Sequence, residues 1–247
     1  MIRIIGSYLS PYVRKVLVAL ELKGLPYEID PIVPFMGDER FSRLSPLRRI
    51  PVYSDERVTL TDSSVICQYL EDTHPEPALY PLDVAERAQA RWLEEYADTR
   101  LADVLIWGLF NETMIAPAVW GRAPDSEKIA RVRDVELPPE LAWLEAQLPA
   151  AGFLFGAVSI ADISLAAFFR NAAFVKYRVD PLAYPRTAAY LDRVLALEVF
   201  TRLQPCEALL ARTRIPQQRA ALAAAGAPLT VDSYGSDRAT PGVPRGG

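Results

Sequence analysis

The hydrophobic pattern of the chain changes near residue 80, and this change constrains the fold more than any other feature. Before it, short β-like runs alternate with stretches whose apolar residues recur at helical spacing, in the order β-α-β-α-β-β-α. A strand–helix–strand opening predicts a right-handed crossover and a parallel pair of strands. The later runs 51–53 and 57–60 predict an antiparallel pair. From residue 84 onward the pattern is helical only, so we predict an α/β N-terminal domain and an all-α C-terminal domain.

A proline-rich connector separates the two halves. Residues 75–81 contain three prolines and cannot continue a helix, because proline lacks the N–H group that the helix needs. We therefore predict an N-terminal domain over residues 1–76, a linker over 77–83 and a helical domain over 84–212. Residues 213–247 carry few bulky apolar side chains, so we expect them to form a mobile tail.

Composition and charge exclude several classes of protein. No apolar run approaches the roughly 18 residues that span a bilayer, and the N-terminus lacks a signal-peptide pattern. The net charge of −4 gives no general attraction to nucleic acid or anionic lipid. Two cysteines, Cys67 and Cys206, and the single histidine, His74, form no recognisable zinc site. We expect a cytoplasmic protein that binds no metal, nucleic acid or membrane.

The first chemical motif is the predicted strand-to-helix turn, where Ser10 precedes Pro11. A helix N-terminus carries free N–H groups and a partial positive charge, which favour an anion. A serine hydroxyl that donates to a thiolate there lowers the pKa of the thiol. A shift of about two units needs ~2.7 kcal/mol, which is within reach of one hydrogen bond to a charged group plus the helix dipole. Ser10 would equally suit a helix cap without chemistry.

Three further motifs lie at predicted element boundaries. Ile50-Pro51 opens a predicted strand, where proline is typical of an edge or a special turn. Asp62 and Ser63 precede the third predicted helix, as capping residues or as partners for an ammonium and a carboxylate. Ser159 and Asp162 have the spacing of a capping box, which is structural.

Together the element order and four segments resemble the cytosolic glutathione S-transferase family, and look like a serine-type, bacterial member of it. The segments are Ser7–Val16, Arg48–Tyr53, Thr61–Ile66 and Gly156–Ile163. The resemblance covers roughly residues 1–212. It implies a thioredoxin-like N-terminal domain followed by an all-helical domain, a homodimer, and glutathione as co-substrate.

The resemblance also implies roles for individual residues. Ser10 would stabilise the glutathione thiolate, with Tyr8 as the alternative, since tyrosine-type members use a tyrosine at the end of the first strand. Ile50-Pro51 would be a cis bond that aligns the cysteinyl backbone of glutathione. Asp62 and Ser63 would hold the γ-glutamyl group. The glycine carboxylate would meet one arginine of the set Arg40, Arg43, Arg48 and Arg49. Among these we count Arg49 as a binding residue.

The implied reaction is attack of the glutathione thiolate on a small hydrophobic electrophile, as in detoxification. Tyr12, Trp107 and Phe110 could wall the pocket of this second substrate. The turn at Ser10 contains no cysteine, which disfavours thiol-redox chemistry there. Two alternatives stay open: a non-catalytic binding or regulatory protein of the same fold, and a glutathione-dependent isomerase or peroxidase.

Overall fold

The computed structural model describes residues 1–242, and these form two compact units. The first unit combines Met1–Pro77 with the part of the chain that begins at Arg202, and the second unit is Ala78–Thr201. Within the described residues, no helix is both long and apolar enough to cross a membrane.

The first unit contains a mixed four-stranded sheet in the order β2-β1-β3-β4. Its strands are β1 (Ile2–Ile5), β2 (Tyr27–Asp30), β3 (Val52–Ser54) and β4 (Thr59–Thr61). Its first helices are α1 (Pro11–Leu22), α2 (Glu39–Leu44) and α3 (Ser63–Thr73), with a short 3₁₀ turn at Pro34–Met36. The β1–β2 pair is parallel and the β1–β3 and β3–β4 pairs are antiparallel. The predicted thioredoxin-like order is thus confirmed.

A hydrophobic cluster lies where β1 ends and β3 begins. Ile5 and Val52 face each other across these strands. With them pack Ile32, Phe41 and three partly buried residues, Leu44, Ile50 and Tyr234. This cluster therefore joins the sheet, α2 and a residue from the far end of the chain.

The second unit is all helical, as predicted. One helix runs from α4 (Val84–Tyr96) through a π-helical stretch (Ala97–Ile115) into α5 (Ala116–Trp120). The remaining helices are α6 (Ser126–Arg131), α7 (Leu137–Gln147), α8 (Ile160–Phe174), α9 (Pro185–Leu195) and α10 (Glu198–Thr201). α8 is the central helix of the unit, since it is buried on almost every side and packs against α4, α9 and the π-helical stretch.

The pair Pro138-Pro139 does not interrupt the helix in which it lies. Both prolines lie in the first turn of α7, and a π-helical stretch, Val132–Glu136, joins α6 to α7 directly. Proline removes a backbone donor from the helical ladder. The π-helical turn just before the two prolines is wider than an α-helical turn, and its hydrogen bonds are shifted, as in the bond from Leu137 N–H to Val132 O. The helix can therefore continue through the two prolines.

The C-terminal part of the chain corrects the expectation of a mobile tail and of a helical domain that ends at 212. α11 (Gln204–Arg212) and α12 (Ile215–Ala224) belong to the first unit. After α12 the chain bonds to the outer edge of β2, where Ile29 N–H donates to Pro228 O (2.7 Å) and Thr230 N–H to Ile29 O (3.2 Å). An edge strand has unpaired backbone groups, and this segment satisfies them. Residues 243–247 of the predicted tail lie outside the described residues.

Candidate functional site

Ser10 caps the N-terminus of α1. Its backbone is extended, and its Oγ accepts a hydrogen bond from Val13 N–H (3.3 Å). Pro11 occupies the first helical turn, where its missing N–H removes no bond. The half-buried Ser10 hydroxyl donates to no other residue among 1–242, so its proton is available to a ligand at the positive end of the helix.

Tyr8 lies elsewhere. Its side chain is 2% exposed and its hydroxyl is hydrogen-bonded to the Cys206 thiol. Burial raises the pKa of Tyr8, and the nearby Tyr27 and Cys206 add to the shift. The ring lines an open groove of about 440 Å³ together with Leu20, Glu21, Tyr27, Arg202 and Cys206, and this lining includes neither Ser10 nor Pro51.

Ile50-Pro51 is a cis peptide bond, which confirms the prediction. Pro51 is buried, and β3 starts at the next residue. The backbone N–H and C=O of Ile50 bond to no other residue among 1–242. Gly6 brings Ile50 close to the turn before α1: a Cβ at Gly6 would stand 3.3 Å from Ile50 Cβ and 2.5 Å from a methyl carbon of Val13. These short distances show that Ile50 and the β1–α1 turn are neighbours, and that only glycine fits at position 6.

Asp62 caps α3 from a left-handed backbone conformation (φ 82°). Its carboxylate accepts from Ser64 N–H (3.0 Å) and Val65 N–H (3.2 Å), and the side chain is exposed to solvent. Ser63 is buried at the first position of the helix. Lys15, fully buried in α1, donates to Ser64 Oγ (3.0 Å) and so ties α1 to the start of α3. The hydrophobic pattern of the sequence does not predict that this lysine is buried.

The four arginines near the site differ in their surroundings. Arg48 holds the loop before α2, because its guanidinium donates to Gly37 O (2.7 Å), Pro34 O (3.3 Å) and the Ser42 hydroxyl. Arg40 pairs with Asp38 (2.7 Å). The side chains of Arg43 and Arg49 are exposed. Arg49 is held through its backbone, whose N–H and C=O both bond to the Ser45 hydroxyl at 2.9 Å.

The predicted walls of the second-substrate pocket belong to different units. Tyr12 is half-buried in α1 of the first unit. Trp107 and Phe110 lie in the π-helical stretch of the second unit, where Phe110 is buried and packs edge-on against Phe174 at 6.4 Å. In the part of the chain that the structure describes, no group of three histidine, cysteine, aspartate or glutamate residues could hold a metal ion.

Sequence reasoning missed one buried ion pair next to the site. Arg14, four residues after Ser10, is fully buried; its Nε donates to Glu207 Oε1 (2.5 Å) and its Nη2 to Tyr8 O (3.1 Å). The guanidinium therefore holds the backbone of the turn that carries Ser10. Its partner is 193 positions away, and no local pattern links the two residues.

A thioredoxin-like unit and an all-helical unit, with a hydroxyl at the start of α1 and a cis-proline before β3, define the class of fold found in glutathione transferases. The family model "Glutathione S-transferase, N-terminal domain" matches residues 4–78, and "Glutathione S-transferase, C-terminal domain" matches residues 130–193. The two models together match more than half of the chain. The chain belongs to the glutathione S-transferase family.

Individual relatives agree with this assignment. Maleylacetoacetate isomerase of Rattus norvegicus is 29% identical over 198 residues, 78% of this chain and 87% of that protein. The crystal structure of a glutathione S-transferase from Rhodospirillum rubrum F11 has 29% identity and a TM-score of 0.76, covering 82% of this chain and 91% of that one. A transferase from Methylobacterium radiotolerans in complex with glutathione sulfonate has 28% identity and a TM-score of 0.67, covering 81% and 93%.

Proposed function

We propose that this chain is a cytoplasmic, homodimeric glutathione S-transferase in which Ser10 activates the thiol of glutathione. The observation that carries the proposal is the Ser10 hydroxyl at the N-terminus of α1, with a proton that no described residue receives. The neighbouring Ile50, whose backbone N–H and C=O bond to no other residue among 1–242, supports it. A peptide ligand could pair with this backbone in the manner of an added strand.

The proposed mechanism begins with loss of the proton from the bound thiol to solvent. The Ser10 hydroxyl donates to the resulting thiolate, and the N-terminal N–H groups of α1 add a partial positive charge, so the thiol pKa falls. The thiolate then attacks an electrophilic carbon. A carbon–sulfur bond forms, and either a leaving group departs with its electron pair or the added electrons are protonated.

The remaining roles are proposed from the chemistry and the location of each residue. Ile50, before Pro51, would pair with the cysteinyl backbone. The Asp62 carboxylate and the Ser63 end of α3 would hold the γ-glutamyl group, since an acid attracts an ammonium and helix N–H groups attract a carboxylate. The exposed Arg49 would meet the glycine carboxylate. Of the residues predicted to wall the electrophile pocket, Tyr12 lies in α1, two residues after Ser10.

A second candidate is a glutathione-dependent isomerase. It is favoured by the likeness to a maleylacetoacetate isomerase over most of both chains. In this reaction the thiolate would add to a conjugated double bond, rotation would follow, and the thiolate would leave again. The same Ser10 and Ile50 would serve, because glutathione is bound and activated identically.

Variants at Ser10 test the proposal. We expect Ser10→Ala to lower kcat/KM for chlorodinitrobenzene by about 10- to 100-fold, as expected for one hydrogen bond to a charged group, and to raise the pKa of the bound thiol in a titration of its ultraviolet absorbance. Ser10→Thr keeps the hydroxyl and should retain most activity. Ser10→Asp keeps the cap but has no proton to donate, and should be inactive.

Calorimetry with glutathione separates the alternatives. Wild type that binds glutathione and turns over maleylacetoacetate but not chlorodinitrobenzene is an isomerase. Binding without turnover of any electrophile identifies a non-catalytic protein of the same fold. No binding of glutathione by wild type would refute the enzyme proposal in both forms.

A further inference from the structure

The segment after α12 lies beyond both matched family models and is nevertheless built into the first unit. We call residues 226–242 the C-terminal strap. It pairs with β2 through Ile29 and then bonds to the loop before α2. There Asp38 N–H donates to Tyr234 O (2.8 Å), Ser236 N–H to Met36 O (2.6 Å) and Thr240 N–H to Phe35 O (2.7 Å). At its described end, Gly242 lies beside the carbonyl groups of Leu47 and Arg48. The strap therefore runs from the edge of β2 along the loop before α2, and its described end lies beside the residues that lead to Ile50.

Asp30, the last residue of β2, anchors the strap. Its carboxylate is fully buried and accepts from Arg219 Nη1 (2.8 Å), Ser233 Oγ (2.8 Å) and Tyr234 N–H (2.7 Å). All three donors come from α12 or the strap. Burial raises the pKa of the Asp30 carboxyl, and the three donors offset this effect in part. A buried carboxylate without partners is costly, so the full set of donors to Asp30 requires both α12 and the strap in place.

Tyr234, whose backbone N–H bonds to Asp30, shares a hydrophobic cluster with Ile50 of the candidate site. Its ring packs against the cluster of Ile5, Ile32, Phe41 and Val52, which Ile50 also contacts. The Arg40 guanidinium covers the ring at 5.1 Å and donates to Ser233 O (2.6 Å). The phenolic oxygen of Tyr234 has no hydrogen bond to another residue among 1–242. The ring therefore acts through packing, and it packs in the same cluster as the residue before Pro51.

We propose that Tyr234 is a positioning residue for glutathione. Through the hydrophobic cluster that it shares with Ile50, Tyr234 supports Ile50 and the adjacent residue Arg49. This inference rests on the proposed function, because it assigns Ile50 and Arg49 to the peptide part of glutathione. Ser10 belongs to a different segment, the turn held by Arg14. Tyr234 thus affects how tightly the peptide binds and not how the thiol is activated.

The test is a split between binding and chemistry in the full-length protein. We expect Tyr234→Ala to raise the KM and the calorimetric Kd for glutathione by about tenfold, with kcat at saturating glutathione and the pKa of the bound thiol unchanged. Tyr234→Phe keeps the ring and should bind like wild type. Asp30→Asn removes the charge opposite Arg219 and should weaken binding in the same direction.

Leu144→Ala is the matched control, since Leu144 is buried in α7 of the second unit and its loss lowers stability without touching the strap. It should leave the KM for glutathione unchanged. An unchanged Kd in Tyr234→Ala, or a fall in kcat with unchanged KM, overturns the inference while wild type still binds glutathione. A wild type that does not bind glutathione overturns the proposed function itself, and this inference with it.

Discussion

At the scale of single residues, the location of Tyr8 supports the proposal that Ser10, and not Tyr8, is the hydroxyl that activates the thiol. A buried phenol with a raised pKa that already bonds to Cys206 is poorly placed to serve a ligand at the start of α1. We therefore expect Tyr8→Phe to retain kcat/KM within about twofold and to lose about 1 kcal/mol of unfolding free energy with its hydrogen bond. Steady-state kinetics and urea unfolding measure the two effects. A strong loss of turnover with unchanged stability would return Tyr8 to the mechanism.

Asp162 is a second residue whose surroundings predict a measurable effect. Its fully buried carboxylate accepts from Ser159 N–H (2.9 Å), Ser159 Oγ (2.7 Å), Leu154 N–H (3.0 Å) and Tyr190 Oη (2.6 Å). Asp162→Ala should lower the unfolding free energy by about 3–5 kcal/mol, because it leaves several buried donors without a partner. Tyr190→Phe, which removes one donor, should cost about 1–2 kcal/mol. Equal, small losses in denaturant titrations would contradict this reading of the capping box.

At the scale of elements, the β3–β4 hairpin depends on one carboxylate in its turn. Burial alone would raise the pKa of Asp55, but hydrogen bonds from Arg57 N–H, Val58 N–H and the hydroxyls of Tyr53 and Tyr69 lower it to about 2. Since this pKa lies below the ordinary 3.8, the ionised form stabilises the fold above pH ~4, and the stabilisation disappears as the pH falls towards ~2.

The variant Asp55→Asn tests this dependence. At neutral pH it should be less stable than wild type by about 1–2 kcal/mol, a value reduced for the partial exposure of the turn. The difference should shrink below pH ~4, where wild type loses the same charge. Urea unfolding as a function of pH measures it, with Glu56→Gln in the same turn as a control; a difference that is constant with pH would show that the charge is not the cause.

At the scale of the whole molecule, α11 is joined to α1 within the first unit through the Arg14–Glu207 ion pair. Glu207→Gln should lower the unfolding free energy by about 3–5 kcal/mol, because it leaves a fully buried guanidinium without its carboxylate. The double variant Arg14→Met with Glu207→Leu should be more stable than Glu207→Gln, since neither charge is then buried.

The exposed pair Arg202–Glu21 is a control within the same unit, and Glu21→Gln should change stability by less than about 1 kcal/mol. Equal effects of Glu207→Gln and Glu21→Gln in denaturant titrations would show that burial does not govern the first pair. Such a result would also argue against a role of Glu207 in holding, through Arg14, the turn that carries Ser10.

Much of the fold and part of the candidate site could be predicted from the sequence, because these features are local. Hydrophobic periodicity predicted the strand and helix order, the caps at Ser10 and Asp62 follow from residue type at a helix start, and the resemblance to the family correctly implied the cis bond at Pro51. The position of Tyr8 could not be predicted, since alternation along a strand does not say which distant helix faces it.

By itself, the sequence determined a thioredoxin-like half followed by a helical half, with capping hydroxyls and acids at the helix starts. Only the tertiary structure decided that the chain after residue 201 returns to the first unit, that Arg14 meets Glu207, and that Tyr234 joins the cluster of Ile50. The physical reason is the range of the forces involved. Backbone preference and amphipathic spacing act over a few residues, whereas the pairing of an edge strand or a buried charge depends on partners about 190 to 200 positions away, which no local pattern specifies.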